Sequence, residues 1–294
     1  MRWNKVTLVG VGLLGGSLGL ALRERKLARQ VVGYVRRAAT QSLCRETGAT
    51  DTATQNLEKA IAGADLVVLC TPLGQMRALT QQFLKHLSPG SIVTDVGSVK
   101  GSVVRELETL VSRAGGHFVG SHPMAGSEKT GVEAARANLF AGNVCVVTPT
   151  KQTDREALRR VSALWKEVGA SVLSCSPEMH DSLVSYSSHL PHVVAAALVN
   201  LVLNPRRGKN QAALCANGFR DSTRIAAGSP EMWRDIALSN RRELIRSLRD
   251  FRMQLERFEK ALGSGRAGVI NKFFQRAKEK RERLGAHASA RAAE

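Results

Sequence analysis

Aromatic side chains are scarce in this sequence, at 4% of residues, and acidic ones are few, with 25 Asp and Glu against 43 Lys and Arg. Cysteine is also thin. Cys44, Cys70, Cys145, Cys175 and Cys215 are scattered, odd in number and form no CxxC pair. That excludes a disulfide framework and a zinc module, and it fits a reducing cytoplasm. Each cysteine reads best as a small buried hydrophobe. No internal repeat occurs, and past the N-terminal region no apolar run approaches a membrane span. Residues 6–22 are apolar and follow a basic start, as in a signal peptide. Five glycines interrupt them, however, and glycine weakens a hydrophobic helix.

The deficit of acids leaves a net charge of +18. Such a charge raises nucleic acid, an acidic membrane surface, or an anionic substrate with a phosphorylated cofactor. Part of the excess lies in residues 266–294, which hold eight Lys/Arg and three Asp/Glu. No basic helix is interleaved with aromatics, and no nucleic-acid motif is present, so neither nucleic acid nor membrane is expected as a partner. The enzyme reading leaves part of this charge without a role.

What is present is alternation. Short apolar runs at 6–9, 31–35, 66–70, 92–95, 117–120 and 144–147 read as buried strands. Helical stretches separate most of them, such as the stripe Val103, Val104, Leu107, Leu110, Val111. The pattern predicts a parallel sheet covered on both faces, with ligands at the carboxyl ends of its strands. After about residue 175 the strands stop. Residues 179–203 read as one long apolar helix closed by Asn204-Pro205. Leu244, Leu248, Phe251, Leu255, Phe258 and Leu262 then form a heptad-like seam, suited to packing in its own domain or, better, to a homodimer interface. The expected division is 1–174, 175–284 and a frayed tail, 285–294.

Gly10-Val11-Gly12-Leu13-Leu14-Gly15 follows the first strand and opens a helix. The first glycine permits the turn, the second admits a pyrophosphate to the backbone, and the third lets helix and strand pack closely. Where an NAD site usually carries an acid after the second strand, this chain has Val35, followed by Arg36 and Arg37. Arginine suits a 2′-phosphate, so NADP is favoured, with NAD as the alternative if Arg36 only stacks or is solvated.

Three further motifs carry polar groups: Asp95-Val96-Gly97-Ser98-Val99-Lys100, then Gly120-Ser121-His122-Pro123-Met124-Ala125-Gly126-Ser127-Glu128, then His180-Asp181 with Ser188-His189-Leu190-Pro191-His192. Each also has a plain structural reading. Ser98 could be a helix N-cap, His122 a loop histidine, and His189 with His192 a pair on one helical face without a third metal ligand.

Taken together in chain order, these residues resemble the prephenate/arogenate dehydrogenase family over about residues 5–262. The resemblance rests on the glycine turn, Cys70-Thr71-Pro72, the three motifs above, and the stretch from Gly218 to Ile236. It implies an α/β N-terminal Rossmann-type dinucleotide-binding domain plus an all-α C-terminal dimerisation domain, in a monofunctional form. It implies oxidative decarboxylation of prephenate, or of arogenate, with hydride passed to NAD(P). His122 would accept the hydroxyl proton, and Ser98 would orient His122 or the hydroxyl. Arg224 would hold the substrate carboxylate. His189, His192, Ser121 and Glu128 would line the substrate site, with Glu128 and Lys129 as a gate. Trp233 would pack behind Arg224 or serve the core. Gly10, Gly12, Leu13, Leu14, Gly15, Arg36, Arg37, Thr71, Pro72, Asp95 and Ser98 would bind cofactor. No metal is implied. A donor such as His192 would favour the keto acid prephenate over the amino acid. Two rivals remain: a dehydrogenase for another anion, and a nucleic-acid-binding protein on a dinucleotide fold.

Overall fold

The computed structural model describes residues 2–127, 129–207 and 210–293. By its contacts the chain forms two compact units, Met1–Arg241 and Arg242–Glu294. The division falls inside what the sequence suggests is one helical region.

The first unit is built on one eight-stranded sheet in the order β3-β2-β1-β4-β5-β6-β7-β8. Its elements are β1 (Trp3–Val9), α1 (Leu13–Glu24), β2 (Ala28–Tyr34), α2 (Ala38–Glu46), β3 (Thr52–Thr54), α3 (Leu57–Ile61), β4 (Leu66–Leu69), α4 (Leu73–Phe83), β5 (Ile92–Asp95), α5 (Gly101–Arg113), β6 (His117–Pro123), β7 (Val144–Thr148), α6 (Arg155–Glu167) and β8 (Ser171–Ser174). Strands β3, β2, β1, β4, β5 and β6 are parallel. The expected all-parallel sheet is corrected at β7, which runs antiparallel to β6 with His122 opposite Val146. Two short strands, β3 and β8, carry too little apolar run to stand out in sequence; β8 is largely exposed at the sheet edge.

The runs of β1 and β4 are apolar on both faces because helices cover both faces. One core holds Leu8, Leu18, Val31, Val68 and Trp165; the other holds Val67, Phe83, Val93, Leu107 and Phe118. The chain leaves β1 for β2 and β3 on one side, then crosses to β4 on the other. That reversal opens the sheet's carboxyl end between β1 and β4, where a ligand fits.

Helices α7 (Pro177–Val184) and α8 (Leu190–Val202) flank a π-helical turn, Ser185–His189, so the single long helix expected at 179–203 is interrupted. Pro191 has no N–H to offer the carbonyl of Ser187, which accounts for the wider turn at this point. Shorter helices follow: α9 (Asn210–Ala213), α10 (Asn217–Thr223) and α11 (Pro230–Ser239).

The second unit is made of α12 (Arg241–Gly263) and α13 (Ala267–Ala293). Phe258, Phe273 and Phe274 hold them together, with ring centroids 4.9 to 5.7 Å apart. Beyond Gly285, where composition suggests fraying, α13 continues to Ala293. On the predicted seam Leu244 is buried, yet Leu255 is 51% and Leu262 60% exposed. No helix among the described residues is long and apolar enough to cross a membrane.

Candidate active site

The glycine turn sits at the β1–β4 opening. Gly10 takes φ +95°, a conformation L side chains avoid, and a Cβ there would press on Cys70 and Thr71. A Cβ on Gly15 would lie 2.2 Å from the Gly10 carbonyl. Both glycines are therefore demanded by the chain's own packing. Gly12 is different, because a Cβ there would meet nothing within 4 Å. Open space over the N-terminus of α1 fits an approaching phosphate, which would use its free N–H groups. Leu13 and Leu14 open the helix and pack on the core, while Thr71 and Pro72 bound the same opening at the start of α4. Val35 is buried, and Arg36 and Arg37 after it are exposed.

Asp95 and Ser121 are placed differently from their expected roles. Asp95 is fully buried and its carboxylate is occupied within the chain. One oxygen accepts from the Ser121 N–H (3.1 Å); the other accepts from the Gly97 N–H (2.8 Å) and the Lys100 ammonium. Ser121 is also fully buried, donating to the Asp95 carbonyl (2.5 Å) and accepting from the Trp165 indole N–H (3.1 Å). These two residues serve as a support beneath the site, because no surface of either is left for cofactor or substrate. Lys100, also fully buried, donates to the Ser121 carbonyl at 2.9 Å. Burial lowers its pKa, and the Asp95 carboxylate opposes that shift.

His122 lies within β6 rather than in a loop, 8% exposed. Its Nδ1 pairs with His180 Nε2 at 2.8 Å, so the group orienting it is His180 instead of Ser98. His180 Nδ1 in turn meets Asp181 Oδ1 at 2.8 Å. The carboxylate can only accept, so His180 carries a proton on Nδ1, and as a neutral imidazole it accepts on Nε2. His122 must then donate from Nδ1, which leaves a lone pair on its Nε2. Burial, with His180, Lys100 and His189 nearby, holds the His122 pKa well below the usual histidine range. The ring is neutral at neutral pH, as a proton acceptor requires.

Asp181 does a second job. Its Oδ1 accepts from the Lys100 N–H at 2.7 Å and its Oδ2 from the Gly101 N–H at 2.8 Å. It caps α5 from 80 residues away, so Ser98 is not the cap. Ser98 lies just before that helix start, part-buried.

The π-turn and α8 supply His189 and His192. His189 is 1% exposed, beside the main chain of Ser98, and burial brings its pKa down to about 4. His192 stacks on Trp233 at 3.8 Å, and Trp233 also meets His189 edge-on at 6.2 Å. His192 Nδ1 donates to the Ser188 carbonyl at 2.9 Å. Burial and the Arg224 guanidinium keep the His192 ring below its ordinary pKa, hence neutral, with Nε2 an acceptor. The donor role expected of His192 is thereby corrected. Arg224, exposed at the start of a 3-10 turn after α10, is thus in electrostatic reach of His192. Glu128 lies outside the described residues; Lys129 is exposed.

His180-Asp181 stands out in the sequence without a role attached, whereas Asn240 and the Lys100–Asp95 ion pair do not stand out at all. The HD doublet was the available signal for the first. Asn240 had none, because its partners are about 50 and 60 residues away.

The described cysteines are all free. Burial pushes the thiols up, to about 11 for Cys44 and further for Cys70 and Cys145, so none of those three is a thiolate nucleophile. No metal-ligand cluster occurs among the described residues.

A glycine turn at a sheet reversal and, on the same sheet, a neutral buried histidine with a free lone pair together define a dinucleotide-dependent dehydrogenase. Residues 18–174 match the prephenate dehydrogenase nucleotide-binding domain, and residues 176–276 match the prephenate dehydrogenase dimerization domain. The prephenate dehydrogenase of Bacillus subtilis is 33% identical, covering 96% of this chain and 76% of that protein. The crystal structure of prephenate dehydrogenase from A. aeolicus in complex with hydroxyphenyl propionate and NAD+ superposes with a TM-score of 0.90 at 34% identity, covering 97% of this chain and 99% of that one. The Synechocystis arogenate dehydrogenase structure gives 0.80 at 32%, covering 95% and 99%. The chain belongs to the prephenate dehydrogenase family. It is an oxidoreductase of tyrosine biosynthesis.

Proposed function

We propose that this protein oxidises and decarboxylates prephenate to 4-hydroxyphenylpyruvate with NADP+, as a cytoplasmic homodimer. The observation that carries the reading is the Nε2 lone pair of a neutral, buried His122, set by the His180–Asp181 chain. A bound nicotinamide dinucleotide supplies the hydride acceptor. Gly10, Gly12, Leu13, Leu14 and Gly15 would hold its pyrophosphate through the start of α1, with Thr71 and Pro72 across the opening. Arg36 and Arg37 would bind a 2′-phosphate, and the absence of an acid at Val35 removes the group that would repel it.

His122 takes the proton of the ring hydroxyl at Nε2 while the carbinol carbon is oxidised. Carbon dioxide then leaves, its bonding electrons make the ring aromatic and supply the driving force, and the phenolate oxygen so formed takes the proton back from His122. Arg224 pairs with a substrate carboxylate, and a bidentate guanidinium fixes orientation as well as charge. Ser98 stands beside His189 at the nicotinamide end. The exposed seam leucines of α12 support a homodimer, since each would be covered by a second copy.

One observation favours a second reading. The Nε2 of neutral His192 is an acceptor, which suits the ammonium of arogenate better than the keto group of prephenate. The test is absorbance at 340 nm with prephenate or arogenate, each with NAD+ or NADP+. Turnover of prephenate with NADP+ above the other three combinations supports the first reading. Faster turnover of arogenate moves the specificity to His192, and a silent, folded protein overturns both.

A further inference from the structure

Two histidines of the site are neutral, and a neutral imidazole has one donor and one acceptor nitrogen. Which is which is decided by the fixed partner of the other nitrogen. For His122 that partner chain ends at the Asp181 carboxylate. For His189 it runs through Asn240, at the end of α11.

Asn240 is 4% exposed. Its Nδ2 lies 2.9 Å from the main-chain carbonyl of Asp181 and 3.1 Å from His189 Nδ1. A main-chain carbonyl only accepts, so the amide group facing it must be the NH2. The amide cannot be turned over without setting two oxygens against each other. The same NH2 therefore faces His189 Nδ1 and makes that nitrogen an acceptor. His189 then bears its proton on Nε2. The main chain of Ser98 lies beside the ring, but Nε2 is buried and makes no hydrogen bond of regular geometry with it or with any other described residue. A desolvated N–H left unpaired is costly, which points to a ligand atom as its partner.

We propose that Asn240 is a positioning residue that locks His189 as the Nε2–H tautomer, so that His189 donates a hydrogen bond to an oxygen of the bound substrate. Asp181 thus anchors both rings in opposite senses. Its carboxylate, through His180, makes His122 Nε2 an acceptor; its carbonyl, through Asn240, makes His189 Nε2 a donor. An alcohol being oxidised needs an acceptor for its proton, and the oxygens of an anionic substrate need a donor. The contact with substrate rests on the reaction proposed above, whereas the tautomer does not.

The test is nitrogen-15 NMR of the full chain with labelled histidine at pH 7.5, with His189 assigned by its loss in His189→Gln. The wild type is expected to show Nε2 protonated and Nδ1 unprotonated. In Asn240→Asp the carboxylate accepts from Nδ1–H, so the tautomer reverses, and kcat falls at least about tenfold with cofactor Kd unchanged. Adding NADP+ with 4-hydroxyphenylpyruvate moves the His189 Nε2 proton downfield. A wild-type proton on Nδ1, or no reversal in Asn240→Asp with native circular dichroism, overturns the assignment. An Nε2 proton that ignores the ligands overturns the contact. A folded wild type silent with prephenate and arogenate overturns the reaction instead, and the same spectrum still reads the tautomer.

Discussion

His122 on β6 and His180 on α7 share one hydrogen bond of 2.8 Å, with their rings nearly perpendicular at 70°. The bond joins the sheet to the helical region at the point where the proton must be taken. Replacing His122 by Asn keeps much of the bulk and removes the base. The kcat of His122→Asn is expected to fall by about 10²–10⁴-fold, with cofactor Kd within a factor of two to three. Turnover at the wild-type rate would remove His122 from the mechanism.

Burial lowers the pKa of His122 and His189, so both stay neutral as the pH falls through the ordinary histidine value of about 6.5. The acid limb of kcat/KM is expected below the ordinary histidine value. Stability follows the same sign. In the unfolded chain these rings take up protons below about 6.5, while in the folded one they do so only lower. Their contribution is present above that pH and is lost as the pH falls through the folded value of about 4 for His189. For His189 alone this is on the order of 3 kcal/mol, measurable as a fall in denaturation midpoint between pH 7 and 4.5.

Arg224 carries the charge expected to meet the substrate carboxylate. Arg224→Ala is expected to raise KM roughly 10–100-fold, the worth of a charge-assisted hydrogen bond, with a smaller effect on kcat. Steady-state kinetics on the preferred substrate decide it. An unchanged KM would place the carboxylate elsewhere.

Arg36 is exposed after β2 with its carbonyl held by Gln55 at 2.9 Å, so the side chain can be changed without disturbing that loop. Arg36→Ala is expected to weaken NADP+ binding about tenfold while leaving NAD+ nearly unchanged. Equal losses for both cofactors would mean that the guanidinium stacks on the adenine.

Leu255 and Leu262 are more than half exposed on α12. The double variant Leu255→Glu, Leu262→Glu is expected to elute as a monomer in size-exclusion chromatography with light scattering. An undisturbed dimer would put the interface on another face.

Much of this molecule is written locally in its sequence. The glycine turn and the alternating strands and helices depend on short spacings, whereas His122, His189, His192 and Arg224 become candidates through the resemblance of their motifs to a family. Those spacings report local backbone geometry and the period of burial. What they could not reveal is which polar groups would be consumed by the fold itself. Asp95 and Ser121 look like rim residues in sequence, yet packing buries them around Lys100 and Trp165. Ser98 looks like a cap until Asp181 arrives from a distant helix to take that place. His192 passes for a donor until the Ser188 carbonyl claims its proton. The class of fold and the set of reactive side chains follow from local pattern. Tertiary structure alone decided their protonation and hydrogen-bonding sense, because a neutral imidazole takes its sense from whichever fixed acceptor or donor long-range packing sets against it.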